Sequence, residues 1–327
     1  MKSIAEKPRS NATPKELSLL GLARALFEGA SRVYPEKGAQ RAKDRAKFCL
    51  RGFAMPRLTR QWFQMLAKPE LAVAVRNCPR ILSKLQRPYL HRKLKPTEQL
   101  QILQEHYRFV QQSFPPETLE KIYSDHGALL ADIPLEGVGH FSLRLAHWSS
   151  TEKEGELTVS LVNESTPAAM FMMTFSFTSY QPGGSEIFIG GLQTVRKATS
   201  RELVVDITRG MYGLRPKALL LFVVQQLAAI WNIKTLRAVS NDMIVFRHAR
   251  LQKKKVFADY DEFWVESDGQ LGVDGFFTLP TQFVSRPIVE IKPNKRTLYK
   301  HRYALLEKLG IQIADNTRLL GHNASNL

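Results

Sequence analysis

The chain has 327 residues, 44% hydrophobic and 24% charged, which is the ordinary balance of a soluble globular protein. Its net charge of +17 is local: residues 1–113 hold 23 Lys and Arg against 8 Asp and Glu, and residues 114–327 hold 24 against 22. An N-terminal third at +15 points to an anionic partner (membrane surface, acidic protein or nucleic acid), or else to a solvated basic helical face. The two cysteines, Cys49 and Cys78, give no disulfide framework and no zinc spacing. The first ten residues lack the apolar core of a secretory signal, and the longest apolar run, 218–224, is far too short to span a membrane. A cytoplasmic protein is expected, with the inner-membrane surface as an alternative location.

In chain order, residues 1–13 are polar and read as a tail. From 14 to about 130 the pattern is helical. The stripe Leu19, Leu22, Leu26 and Phe27 predicts a helix over 15–29. Over 41–53, Arg41, Lys43, Arg45, Lys47 and Arg51 alternate with Phe48, Leu50 and Phe53. Short helices are expected over 58–66, 71–75 and 79–85, and a strong one over 97–114 that Pro115-Pro116 ends. Another short helix is expected over 117–123. A mixed α/β region is expected over 131–314, with a tail over 315–327. Strands are predicted over 156–162 and 168–177, with the turn 163–167 between them, then a turn at 181–184 and a third strand over 186–194. Gly190 and Gly191 inside that strand mark a bulge or a close backbone approach. Thr199 with Glu202 forms a capping-box pattern for a helix that Gly213 stops. Pro216 suits the first turn of the next helix, to about 232, and a buried strand follows over 233–240. Two short strands are expected over 263–266 and 275–278.

Four constellations carry chemistry. Gly213-Leu-Arg-Pro-Lys217 sets Arg215 and Lys217 at a helix N-terminus, where the dipole already favours an anion such as a pyrophosphate. The alternative is a plain helix–turn–helix link, and Pro216 lacks the N–H that a phosphate would use. Asn241 lies just past a strand end, a common position for a ligand contact, and His248 follows as a candidate general base. Asp259 and Asp261 are candidate acid–base groups, or else carboxylates that pair the run Lys253-Lys-Lys255. No metal spacing accompanies them. The segment Lys295-Arg-Thr-Leu-Tyr-Lys-His-Arg-Tyr303 puts Tyr299 and Tyr303 at i and i+4 among cations. It reads as an anion clamp or a domain cap.

Six blocks resemble the bacterial VirK/YbjX family: Ile189-Gly-Gly-Leu-Gln193, Gly213-Leu-Arg-Pro-Lys217, Ala238-Val-Ser-Asn241, Tyr260-Asp-Glu-Phe-Trp264, Asp274-Gly-Phe-Phe-Thr-Leu-Pro280, and Lys295-Arg-Thr-Leu-Tyr299 through Arg302-Tyr303. The resemblance runs from about residue 58 to 314. It implies a Gram-negative source and a cytoplasmic protein tied to stress (including DNA damage), envelope integrity or virulence. It implies no settled reaction.

The order of elements in the C-terminal half also resembles a GNAT-type N-acyltransferase, so the expected class is α+β, a basic helical region packed on a mixed, largely antiparallel sheet. On that resemblance Gly213, Leu214, Arg215, Lys217 and Asn241 would face an acyl-CoA or acyl-carrier donor. His248, Asp259 or Asp261 would then serve as base. Two departures stand out: an extra helix precedes the turn, and the turn lacks the full Q/R-x-x-G-x-G/A pattern. The rival function is a non-enzymatic adaptor whose basic third binds anionic lipid or nucleic acid.

Overall fold

The computed structural model describes residues 18–166, 168–178, 185–249, 251 and 259–321. The tail 1–13, the turn 181–184 and the lysine run 253–255 lie outside the described residues.

The basic third is helical. α1 (Leu19–Val33) and α2 (Ala39–Ala54) precede α3 (Pro56–Leu66) and α4 (Ala72–Asn77). A 3-10 helix (Pro79–Gln86) leads to α5 (Pro96–Ser113) and α6 (Pro116–Ile122). Proline opens α3, α5 and α6, where its missing N–H costs nothing. Ser18 starts α1, its hydroxyl accepting from the Gly21 amide at 3.1 Å.

An eight-stranded sheet follows: β1 (Ala128–Leu135), β2 (Gly139–Ala146), β3 (Leu157–Asn163), β4 (Ala168–Thr178), β5 (Glu186–Thr194), β6 (Thr235–Val239), β7 (Gln270–Leu271) and β8 (Phe276–Leu279). Its order is β1-β2-β3-β4-β5-β6-β8-β7. Every pair is antiparallel except β5/β6, which run parallel from Glu186/Thr235 to Ile189/Ala238. The expected α+β class holds at this level.

The β1/β2 hairpin was absent from the sequence reading. Pro134 and the glycines at 137 and 139 mask it, and Pro is tolerated because β1 is an edge strand. α10 (Arg296–Leu319) covers that edge: Asn316 Nδ2 donates to Leu130 O at 2.9 Å, and the Asp132 amide donates to Gln312 Oε1 at 2.9 Å.

α7 (Arg201–Gly210) is capped by Ser200, which accepts from the Leu203 amide at 3.1 Å. The expected cap, Thr199, instead donates its hydroxyl to Val195 O. α8 (Pro216–Ile230) is buried nearly all round, with Leu220, Val224 and Leu227 fully buried. It packs on β3, β4 and α10. One hydrophobic cluster runs from Leu22 to Leu320 and joins the helices to the sheet.

The expected strand over 263–266 is a correction. Those residues belong to α9 (Tyr260–Glu266). Asp259 caps it by accepting from the Glu262 amide, and the first-turn acids Asp261 and Glu262 suit a helix N-terminus. No helix among the described residues is long and apolar enough to cross a membrane.

Candidate functional site

The turn between α7 and α8 is built from two consecutive residues in the left-handed region, Tyr212 (φ +54°) and Gly213 (φ +75°). The Gly213 amide donates to Thr208 O at 2.7 Å, which closes α7. A Cβ at Gly213 would meet the Arg302 guanidinium at 2.8 Å. Arg302 reaches in from α10 and donates Nε and Nη2 to Tyr212 O at 3.0 and 2.8 Å. It also lies over the Tyr299 ring, 4.2 Å from the centroid. The basic segment of α10 therefore clamps the turn itself.

Arg215 occupies the N-cap position of α8 and is ion-paired with Glu266 of α9. Lys217, two residues on, is half-buried. Burial and the neighbouring Arg215 pull its amine below the usual lysine range, against the opposing carboxylates Asp259, Glu262 and Glu266. Leu214 is buried.

Asn241 follows β6 and locks α9 in place. Its amide donates to Asp261 Oδ1 at 2.7 Å and its Nδ2 to Asp259 Oδ1 at 2.8 Å, while its Oδ1 accepts from the Tyr260 amide at 2.7 Å. The hydrogen bond from Asn241, with the backbone donors of α9, holds the Asp259 carboxyl below its usual range.

Past Ile189/Ala238 the parallel strands part, and α9 fills the gap. The Leu192 amide donates to Tyr260 Oη at 3.1 Å, and Trp264 Nε1 donates to Val239 O at 2.9 Å. Gly190 and Gly191 form a bulge on β5, and a Cβ on either would strike Glu154. Both alternatives for those glycines, bulge and close approach, hold.

The structure thus brings Gly213, Leu214, Arg215 and Lys217 into one turn. It joins Asn241, Asp259 and Asp261 in a second cluster, and Arg215–Glu266 and Lys217 link the two. His248 stands on a separate element, just after the 3-10 turn Val245–Arg247, its amide donating to Val245 O at 3.0 Å. Beside the turn, a cleft of ≈ 300 Å³ opens between α8, α10 and residues 280–286. Leu214, Ala218, Phe222, Phe283, Arg286 and Arg302 are among its walls.

Sequence reasoning missed a second polar constellation, buried between the helical third and the sheet. Lys84 Nζ lies 2.7 Å from Glu156 Oε1, both side chains being almost wholly buried. Lys84 also donates to the carbonyls of Glu152 and Gly155. Tyr107 donates to Glu156 Oε2 at 2.7 Å. Burial alone would raise the Glu156 carboxyl, but Lys84, with His147 and His106, holds it below the usual range. His147 Nδ1 donates to Glu156 O at 2.8 Å, which leaves Nε2 as acceptor, 3.2 Å from Cys78 Sγ. Burial raises the Cys78 thiol and lowers His147, so the resting pair is neutral. Lys84 and Glu156 lie 72 residues apart, and no local spacing announces the contact.

Residues 37–315 match the family described as "Protein of unknown function (DUF535)". The chain is 33% identical over 307 residues to the "Uncharacterized protein YbjX" of Escherichia coli (strain K12), covering 92% of each. Two proteins of Haemophilus influenzae (strain ATCC 51907 / DSM 11121 / KW20 / Rd), each titled "Uncharacterized protein", are similar over shorter stretches. One is 24% identical over 160 residues, covering 49% of this chain and 52% of that protein. The other is 25% identical over 184 residues, covering 56% and 60%. No solved structure gives a significant match. With most of the chain matched by the family and a full-length relative at 33% identity, the protein belongs to the DUF535 family, the VirK/YbjX family that its sequence blocks resemble.

Proposed function

We propose that the chain transfers an acyl group from a phosphopantetheine-type donor held at the turn 213–217. The observation that carries this is the sheet order. Four antiparallel strands lead to β5, β5 alone pairs in parallel with β6, and the final strands return as β8 and β7. That is the order in which a GNAT-type acyltransferase sets a pyrophosphate-holding turn before its crossover helix. Here α8 is that helix, and the amides of Lys217 and Ala218 are among its unpaired first-turn donors.

Tyr260 and Trp264 already satisfy the strand edges where β5 and β6 part, so the donor would not run between the strands. It would lie along the turn, with its acyl chain in the cleft beside Leu214 and Ala218. Phosphate would compete with Glu266 for Arg215. In the reaction an acceptor amine or hydroxyl attacks the thioester carbonyl, the C–S bond breaks, and the donor leaves as the thiol with the acceptor's proton. Positioning the reactants would supply most of the rate. His248, Asp259 or Asp261 would supply the base, the two aspartates while also holding α9.

Thermal denaturation with coenzyme A and with short- and long-chain acyl-CoA tests this. A ligand at a hundredfold excess over Kd stabilises by about 2.7 kcal/mol. Wild type should show that shift, and Arg215→Ala with Lys217→Ala should lose it while melting normally without ligand. Absence of any shift in wild type at millimolar acyl-CoA would eliminate a free acyl-CoA donor.

A further inference from the structure

The hairpin formed by α1 and α2 presents an amphipathic face that the rest of the fold leaves open. The helices run antiparallel. Gly52 lies against Leu26 so closely that no Cβ would fit, Gly29 lies against Phe48, and Arg45 donates to Tyr34 O at 2.9 and 2.7 Å. Each helix turns about 100° per residue, in opposite senses when both are viewed from one end. Stepping one residue on from the Leu26/Gly52 contact therefore carries Phe27 and Phe53 to the same side of the pair. Leu20 lies two turns before Phe27 on its stripe, and Leu50 one turn before Phe53.

These four side chains are exposed: Leu20 at 84%, Phe27 at 65%, Leu50 at 69% and Phe53 at 42%. Lys43 and Lys47 flank them, and neither makes an ion pair within the described residues. Residues 18–66 carry 10 Lys and Arg against 3 Asp and Glu. Within them, Glu28 is taken up by Arg24, and Glu36 and Asp44 by Arg41.

We infer that this outer face of the α1–α2 hairpin docks on an anionic lipid surface. Cations around exposed Leu and Phe are what a membrane interface needs. The charges draw the helices to acidic headgroups, and the apolar side chains enter the boundary with the acyl chains. A nucleic-acid surface would use the cations but would leave Leu20 and Leu50 without a partner. The inference stands independently of the transfer activity proposed above.

Co-sedimentation of the full-length protein with phosphatidylglycerol-containing vesicles, against pure phosphatidylcholine vesicles, tests it. Wild type should bind the anionic vesicles and release with rising salt. Each cation near such a surface is worth about fivefold. Lys43→Gln and Lys47→Gln together should therefore weaken binding about twenty-five-fold. Phe27→Ser with Leu50→Ser keeps every charge and should weaken it by about tenfold or more. All four side chains are largely exposed, so the variants should melt like wild type. The conservative Phe27→Trp adds a direct measure, since brominated acyl chains should quench it if the face inserts. Failure to bind phosphatidylglycerol vesicles overturns the inference. So does vesicle or nucleic-acid binding that the Phe27/Leu50 variant retains in full, which would mark a plain polyanion surface. A solution dimer abolished by the same variant, without vesicle binding, would assign the face to a second copy instead.

Discussion

Lys84→Met should remove a large part of the protein's stability. The Lys84 side chain is 4% exposed and its partner Glu156 is 0% exposed. Methionine replaces most of the stem and deletes the ammonium. Glu156 is then left with the Tyr107 hydroxyl on one oxygen and no cation on the other. The carbonyls of Glu152 and Gly155 lose their shared donor at the same time. Breaking a buried pair from one side costs about 3–5 kcal/mol, because it strands the remaining charge. The whole stability of a domain is about 5–15 kcal/mol. Urea denaturation followed by tryptophan fluorescence would measure the loss in Lys84→Met, Glu156→Gln and the double variant. The double variant buries no stranded charge, so it should be clearly more stable than the sum of the single losses requires. A Lys84→Met cost within about 1 kcal/mol, the range of an exposed pair, would refute the burial argument. Strict additivity of the two changes would refute the coupling.

Two further outcomes follow from packing and titration. Leu220→Ala on α8 should cost about 2–5 kcal/mol by denaturant unfolding, since Leu220 is fully buried against the sheet; a cost below about 0.5 kcal/mol would misplace the helix. Burial lowers His106 to about 3 and His91 to about 4. The unfolded chain takes up these protons near pH 6.5 and the folded chain does not, so their contribution is complete above about pH 6.5 and is lost as pH falls toward the folded values. Each histidine adds up to about 1.4 kcal/mol per pH unit to that slope. The melting temperature should therefore fall from about pH 6.5 downward, and less steeply in His106→Gln; a flat profile from about pH 7 to 5 would contradict it.

Local chemistry was legible wherever a residue acts on its neighbours in the chain. The turn at Gly213, the proline that opens α8 and the helix to about residue 232 were read with nearly their final bounds. The glycines of β5 announced a bulge. Two misreadings came from residues whose intrinsic preference opposes their place. Phe263, Trp264 and Val265 favour strand by type, yet Asp259 and two first-turn acids make them a helix. Pro134 argues against a strand, yet sits on an edge that α10 covers. What stayed illegible was distant pairing. Nothing near Arg215 signals Glu266, 51 residues on, and nothing near Gly213 signals Arg302.

Those distant pairs separate the two anion-binding sites that the sequence left undivided. At the turn, Arg215 is already matched by Glu266, and Lys217 faces three carboxylates of α9 and its cap. A phosphate arriving there exchanges one anion for another, so it releases few bound counterions. On the outer face of the α1–α2 hairpin, Lys43 and Lys47 have no acidic partner among the described residues, so solvent counterions must balance them. An anionic surface docking there displaces those ions, and its affinity must fall with salt far more steeply than that of a ligand at the turn. The excess positive charge of the chain is therefore no support for the donor site, whose cations are neutralised within the fold. It bears on the helical third to which the hairpin belongs, and either site can fail its test without weakening the case for the other.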